Sequence, residues 1–301
     1  MGGLRISGVL PPMVTPFAED GGVDYAAHIR NLEKWNRTSL AGYLVLGSNS
    51  EAVYLSEEEK ARLIACTVGH AAKGRPVLAG TGMESALETL RLTNKAAELG
   101  AVAALVLTPF YYFDQMSDAA LIGYYSFVAD RADIPVLLYN VPKFTHINVS
   151  PKVVQELCHH PRIIGMKDSS GDLAQLASFL RIVPGDWNLV VGTAAAWFPA
   201  LTMGVQGGIL ALANCLPDDC AEVQEAYRTG DLDRAESIHT RVLPVNTAIT
   251  ATYGIAGLKH ALDLLGYEGG AVRSPLLPLT QEARTVIEAI LKGARALPAA
   301  S

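Results

Sequence analysis

Apolar residues along this chain recur in two alternating patterns. Short continuous apolar runs of strand length punctuate the first two-thirds of the sequence, and most are followed by a stretch with helical spacing. The runs are 7–15 (SGVLPPMVT), 42–47 (GYLVLG), 76–82 (PVLAGTG), 101–109 (AVAALVLTP), 134–142 (IPVLLYNVP), 163–168 (IIGMKD), 188–193 (NLVVGT) and 207–213 (GGILALA), eight in all. Helical patterns include 56–73 (SEEEKARLIACTVGHAAK), 85–100 (SALETLRLTNKAAELG) and 117–132 (SDAALIGYYSFVADRA). The first two open on a serine with an acidic residue inside the first turn, and the second stops at Gly100, as helix caps do. Strands that are apolar throughout and alternate with helices predict a parallel sheet. Eight such units predict an α/β fold of the closed (β/α)8 TIM barrel type, with an open doubly wound sheet as the alternative.

Beyond the eighth run the pattern becomes purely helical, at 217–250, 254–266 and 280–296. The expected organisation is therefore a barrel over 1–215 and a C-terminal helical extension over 216–301, with no linker or low-complexity segment between them. A chain of 301 residues, half of them hydrophobic, has ample material for one large core.

Charge narrows the partners. The net charge is −6 and Lys and Arg never cluster in a run, so the footprint of nucleic-acid binding is missing. The four cysteines, Cys66, Cys158, Cys215 and Cys220, form no CxxC pair and are expected to be reduced. The N-terminal stretch has prolines where a signal peptide needs an apolar core, and its "MGG" start lacks a myristoylation motif because Ile6 stands where Ser or Thr is required. No apolar run is long enough to span a membrane, and a cytoplasmic location is expected.

Barrel enzymes place their chemistry at the carboxyl ends of the strands. Those ends carry Gly47-Ser48-Asn49-Ser50-Glu51, Gly80-Thr81-Gly82, Thr108-Pro109-Phe110-Tyr111-Tyr112, Tyr139-Asn140, Lys167-Asp168, Gly192-Thr193 and Ile209-Leu210. There is no dinucleotide fingerprint, phosphate loop or HExxH, and the seven histidines do not fall at ligand spacing, so neither a cofactor nor a metal is expected. What remains is one strand lysine, some tyrosines and a hydroxyl-rich turn. An amine nucleophile converts a ketone into a Schiff base, whose protonated nitrogen serves as an electron sink for making or breaking the adjacent C–C bond. Tyr139 is a candidate proton shuttle, relayed by Ser48 because a free phenol titrates near pH 10. The backbone N–H groups of Ser48 and Asn49 suit a carboxylate. Each has a bland reading: Lys167 as a structural lysine paired with Asp168, the tyrosines as packing aromatics, the turn as mere loop chemistry.

Four ordered motifs, GSNSE, LTPFYY, LYNVP and IIGMKDSSG, resemble those of the class I pyruvate-dependent aldolases that include dihydrodipicolinate synthase and N-acetylneuraminate lyase. The resemblance runs from about Gly8 to Leu277. It implies Lys167 as the Schiff-base lysine, Tyr139 as proton carrier, and Ser48 with Tyr111 completing a relay, Tyr111 being donated across a subunit interface. It also implies pyruvate carboxylate binding at Ser48 and Asn49, with Gly47, Gly192 and Ile209 as further substrate-binding candidates, and a homotetramer built as a dimer of dimers. Two positions depart from the family pattern. Ser50 replaces the usual glycine, and Phe144 stands where dihydrodipicolinate synthases usually place an arginine for the second substrate's carboxylate, a contact a phenyl ring cannot make. Further segments, "ALAN" and "YGIAGLKHALDLLGYEGG" among them, are most similar to 4-hydroxy-2-oxoglutarate aldolases and 2-keto-3-deoxy sugar-acid aldolases. The expected reaction is reversible cleavage of a 4-hydroxy-2-oxo acid to pyruvate and an aldehyde, with Lys143 beside Phe144 as a candidate cation for an acidic fragment. Dihydrodipicolinate synthase, a 2-keto-3-deoxy-acid dehydratase and a pyruvate-binding but silent paralogue are the alternatives.

Overall fold

The computed structural model describes residues 4–297; the "MGG" start and the last residues of the expected extension lie outside this range. Eight parallel strands form one sheet: β1 (Gly8–Leu10), β2 (Tyr43–Val45), β3 (Val77–Gly80), β4 (Ala103–Leu107), β5 (Val136–Asn140), β6 (Ile163–Asp168), β7 (Asn188–Val191) and β8 (Gly207–Ile209). From β2 to β8 each strand pairs with its sequence neighbour, and β1 pairs with β8. The gap between β1 and β2 is bridged at Pro12–Leu44 and by backbone bonds from Ala41 to Val9 and from Leu44 to Pro11, so the sheet closes into the expected barrel. The strands are shorter than the apolar runs. In 7–15, Pro11 and Pro12 have no N–H to give a ladder, and β1 ends before them.

The helices are α1 (Tyr25–Trp35), α2 (Glu57–His70), α3 (Ala86–Glu98), α4 (Asp118–Arg131), α5 (Pro142–Thr145), α6 (Pro151–Leu157), α7 (Leu173–Leu180), α8 (Trp197–Thr202), α9 (Pro217–Arg228), α10 (Leu232–Thr247), α11 (Gly254–Leu264) and α12 (Gln281–Gly293). Their starts are chemically specified. Ser56 and Glu59 close a capping box on α2, while Ser85 and Ser117 each accept the N–H three residues on. The helical pattern over 217–250 divides at Gly230, a positive-φ residue, into α9 and α10. A turn of π-helix over Ala248–Thr252 then links α10 to α11.

Side-chain alternation splits the apolar residues into two cores. The small inner one fills the barrel with Leu10, Leu44, Leu78, Leu105, Leu137, Tyr139, Val190 and Ile209. The larger outer one, with Met13, Trp35, Tyr125, Met166, Phe179 and Trp197, seals strands to helices. In the ladder Tyr139 stands opposite Lys167, and Lys167 opposite Val190. Lys167 therefore points into the barrel with its inner-core neighbours.

Candidate active site

Lys167 comes next to last on β6, only 3% exposed. A structural lysine would need a partner, and Asp168 is not one. Alternation turns Asp168 to the other side of β6, where its carboxylate accepts from Asn140 Nδ2 at 2.8 Å and from the Ser170 hydroxyl at 2.7 Å. Among the described residues no carboxylate forms an ion pair with Lys167. The paired-lysine reading is corrected on this ground. Lys167 Nζ lies instead 4.3 Å from the centre of the Tyr139 ring.

Tyr139, 6% exposed, sits at the same level on β5. Its hydroxyl and that of Ser48 are 3.2 Å apart, joining the end of β5 to the turn after β2. Burial is the largest influence on this phenol and raises its pKa. The Lys167 charge and hydrogen bonding from Ser48 and Lys167 outweigh it and hold the phenol below its ordinary value. The Ser169 hydroxyl acts the same way from nearby, although it is buried and makes no hydrogen bond of ordinary geometry.

The Ser48 turn is a single 3-10 turn over Ser48–Ser50. Its first internal bond runs from Ser50 N–H to Gly47 carbonyl at 3.0 Å, so the N–H groups of Ser48 and Asn49 are left for a ligand. Two non-glycine residues with positive φ, Leu46 at 60° and Glu51 at 55°, bracket it. Ser50, where glycine was the family expectation, is not one of them. Its buried hydroxyl donates to the Met13 carbonyl at 2.5 Å, so the side chain is used rather than merely tolerated.

The other candidates fall at different depths. Gly47 packs against Leu44 and Pro12 at the base of the turn, and Ile209 is fully buried in the inner core opposite Leu10. Gly192 borders Lys167 because it lacks a side chain: a Cβ there would lie 2.8 Å from Lys167 Cε and 1.7 Å from Ser169 Oγ. Ser169 is the site residue that sequence reasoning missed. Its position two residues after Lys167, just beyond the end of β6, was the available signal.

Tyr111 is not joined to Ser48 or Tyr139 within one chain. It stands 72% exposed, edge-on to Tyr112, in a loop whose Phe110 and Tyr111 N–H groups donate to the Glu84 carboxylate. Phe144, on α5, is 52% exposed. Lys143 beside it donates to the Thr250 carbonyl at 2.7 Å, with its ammonium 5.5 Å from the Phe144 ring centre. Lys143 thus ties α5 to the π-helical turn.

A cationic or nucleophilic nitrogen, a phenol with a depressed pKa, a hydroxyl relay and two free N–H groups make a site able to form an imine and move protons around it. Comparison with known proteins gives the same direction. Residues 5–294 match the model of the dihydrodipicolinate synthetase family. The 4-hydroxy-tetrahydrodipicolinate synthase of Methanothrix thermoacetophila is 33% identical over 286 residues, covering 94% of this chain and 95% of that one. Among solved structures, a dihydrodipicolinate synthase of Bacillus anthracis superposes with a TM-score of 0.93 at 26% identity, covering 99% of this chain and 100% of that one. The dihydrodipicolinate synthase of Acinetobacter baumannii, solved in complex with pyruvate, gives 0.92 at 29% identity, covering 97% and 100%.

Proposed function

The chain belongs to the dihydrodipicolinate synthetase family of lyases, and on that premise we propose that it is a class I aldolase in which Lys167 forms an imine with pyruvate. The observation that carries this reading is a buried lysine inside the barrel, without an acidic partner among the described residues, facing a phenol that Ser48 holds. The Lys167 amine adds to C2 of the 2-oxo acid, the resulting carbinolamine loses water, and the iminium draws electrons from C3. Loss of a C3 proton gives the enamine, which attacks an aldehyde; the reverse sequence cleaves the same bond. Tyr139, with its depressed pKa, carries the protons and Ser48 relays them. The N–H groups of Ser48 and Asn49 hold the pyruvate carboxylate. Tyr111, exposed in one chain, joins the relay from a neighbouring subunit in a homotetramer, and the enzyme works in the cytoplasm without cofactor or metal.

The second substrate has two readings. The name carried by the curated relatives, 4-hydroxy-tetrahydrodipicolinate synthase, favours condensation of pyruvate with aspartate semialdehyde. The expected 4-hydroxy-2-oxo-acid aldolase takes second place on that comparison, and one observation favours it. Phe144 has no guanidinium for a second carboxylate, and Lys143, the candidate cation for an acidic fragment, is engaged with Thr250, so what is favoured within this reading is a 2-keto-3-deoxy sugar acid, whose aldehyde fragment is neutral. Turnover of aspartate semialdehyde plus pyruvate, 4-hydroxy-2-oxoglutarate and 2-keto-3-deoxygluconate, measured side by side, separates the two.

The imine itself is tested by borohydride reduction with pyruvate, followed by intact mass and peptide mapping. An adduct on Lys167 that is lost in a folded Lys167→Ala variant is expected. A folded wild type that yields no adduct refutes the mechanism, and pyruvate-induced thermal stabilisation without an adduct would mark a binding protein instead.

A further inference from the structure

The turn that offers its N–H groups to a carboxylate is held by more than its own internal bonds. Leu46 and Glu51, on either side of it, occupy the left-handed region, which L-residues with side chains adopt at a cost. Such residues persist where surrounding contacts over-determine them. For Glu51 those contacts come from the far end of the chain. Its carboxylate is wholly buried and lies 2.6 Å from Lys259 Nζ on α11, itself 2% exposed. The second carboxylate oxygen accepts the Arg273 backbone N–H at 2.8 Å. Lys259 is in turn fixed by donating to the Ala271 carbonyl at 2.6 Å, and both Lys259 and Arg273 lie over the Phe17 ring. The Arg273 guanidinium meets the Glu59 carboxylate and the carbonyls of Gly21 and Tyr54. One ionic assembly thus joins the segment after α11 to both ends of the stretch from Glu51 to Glu59.

A buried ion pair commonly adds little stability over a well-packed apolar pair, while it fixes direction and spacing closely. Here it fixes them at the residue that ends the Ser48–Ser50 turn. We infer that Glu51, Lys259 and Arg273 are positioning residues, a brace by which the C-terminal helices hold the N–H groups of Ser48 and Asn49 in the shape that binds the substrate carboxylate. This inference rests on the imine reading and adds that the helices beyond the barrel are part of its substrate-binding apparatus.

The test compares wild type with Lys259→Met, Lys259→Arg and the charge-free double variant Glu51→Gln/Lys259→Met. Pyruvate is titrated into the borohydride trapping reaction, and amide hydrogen exchange is followed over residues 47–54. A brace predicts at least a tenfold rise in half-saturating pyruvate for Lys259→Met and the double variant, with trapping at saturation within about threefold of wild type. It also predicts faster exchange at Ser50, Glu51 and Tyr54, and partial recovery of both readouts in Lys259→Arg. The double variant leaves no unpaired charge, so it carries the test if Lys259→Met does not fold. Should both fail to fold, Glu51→Asp, which keeps the charge but withdraws it by one methylene, is expected to raise half-saturation at least threefold. A folded double variant, or a folded Glu51→Asp, with wild-type half-saturation and wild-type exchange overturns the brace, whatever its melting temperature. A wild type that forms no adduct refutes the Lys167 reading separately, and the exchange data then decide whether the brace holds the turn.

Discussion

Adding one methyl group at Gly192 is the sharpest perturbation of the lysine that leaves the lysine in place. In Gly192→Ala the new Cβ would lie 1.7 Å from Ser169 Oγ and 2.8 Å from both Ser169 Cβ and Lys167 Cε. Ordinary carbon contacts sit near 3.5–4.0 Å, so Lys167 Cε must retreat by about 0.7–1.2 Å. The strand cannot absorb this by backing away, because Gly192 N–H is bonded to the Asp168 carbonyl at 2.7 Å. Rotation clears Ser169 Oγ at small cost, as it has no hydrogen bond of ordinary geometry to lose, but Ser169 Cβ stays at 2.8 Å and obliges the backbone there to give by a comparable distance. Lys167 does not rotate so cheaply, since it is packed beside Tyr139. Overpacking of this kind costs about 1–3 kcal/mol of stability, and a misplacement of about 1 Å at a reacting group can cost about 100-fold in rate. The expected result is a folded protein whose borohydride trapping with pyruvate is slower by about 10–100-fold. Gly208→Ala is the control. Its Cβ would meet Trp197 and Leu210 at 3.1 Å, away from the lysine, and is expected to lower the melting temperature while trapping stays near wild type. A folded Gly192→Ala that traps pyruvate at the wild-type rate would refute the claim that the missing side chain makes room for the nucleophile.

Further outcomes follow from the same geometry. Ultraviolet titration should find one phenol ionising below the ordinary tyrosine range and absent in Tyr139→Phe; in Lys167→Met the same phenol should move upward, because burial remains when the opposing charge is gone. Tyr139→Phe should lower turnover by about 100-fold or more, as expected for loss of a proton carrier, with pyruvate still trapped to a measurable extent. His28, buried and held to about 4, stays neutral in the fold while the unfolded chain protonates from its ordinary 6.5. Its contribution is therefore fully present above about 6.5 and is lost as the pH falls toward 4, so denaturant unfolding of His28→Gln should show a shallower pH dependence across that window. Ser50→Gly removes the bond to Met13 and adds backbone freedom, and should cost about 1–2 kcal/mol in chemical denaturation; an unchanged midpoint would show that the bond contributes nothing.

The fold was legible because all eight strands are predominantly apolar on both faces, and that composition is given to strands buried between barrel interior and helices. Lys167, Tyr139 and Ser48 were legible for a related reason: each is a polar residue at the carboxyl end of such a run. Other parts of the site depend on register and on long-range contact. That Gly192 must lack a side chain is visible only once β7 is laid beside β6 with Lys167 opposite Val190. The bond between Glu51 and Arg273 joins residues 222 positions apart, and no local pattern announces it. Strand ends were overestimated where proline intervened, as in 7–15, or where a 3-10 turn followed, as at Ala211–Asn214. Tyr111 shows a further limit, because a residue expected to act in a neighbouring subunit gives its own chain only an exposed ring.

The proline-terminated first strand bears on how the barrel is made. β1 is synthesised first, yet its ladder partner β8 is synthesised only after the other six strands. Until Gly207–Ile209 has emerged, β1 presents an unpaired edge of the kind that recruits wrong partners. Pro11 and Pro12 cannot donate to an intruding strand, and they keep that edge to three residues. The joint between β1 and β2 is correspondingly sparse, resting on the Pro12–Leu44 bridge and a few backbone bonds. A chain that protects its earliest strand in this way accepts a thin seam in the finished barrel.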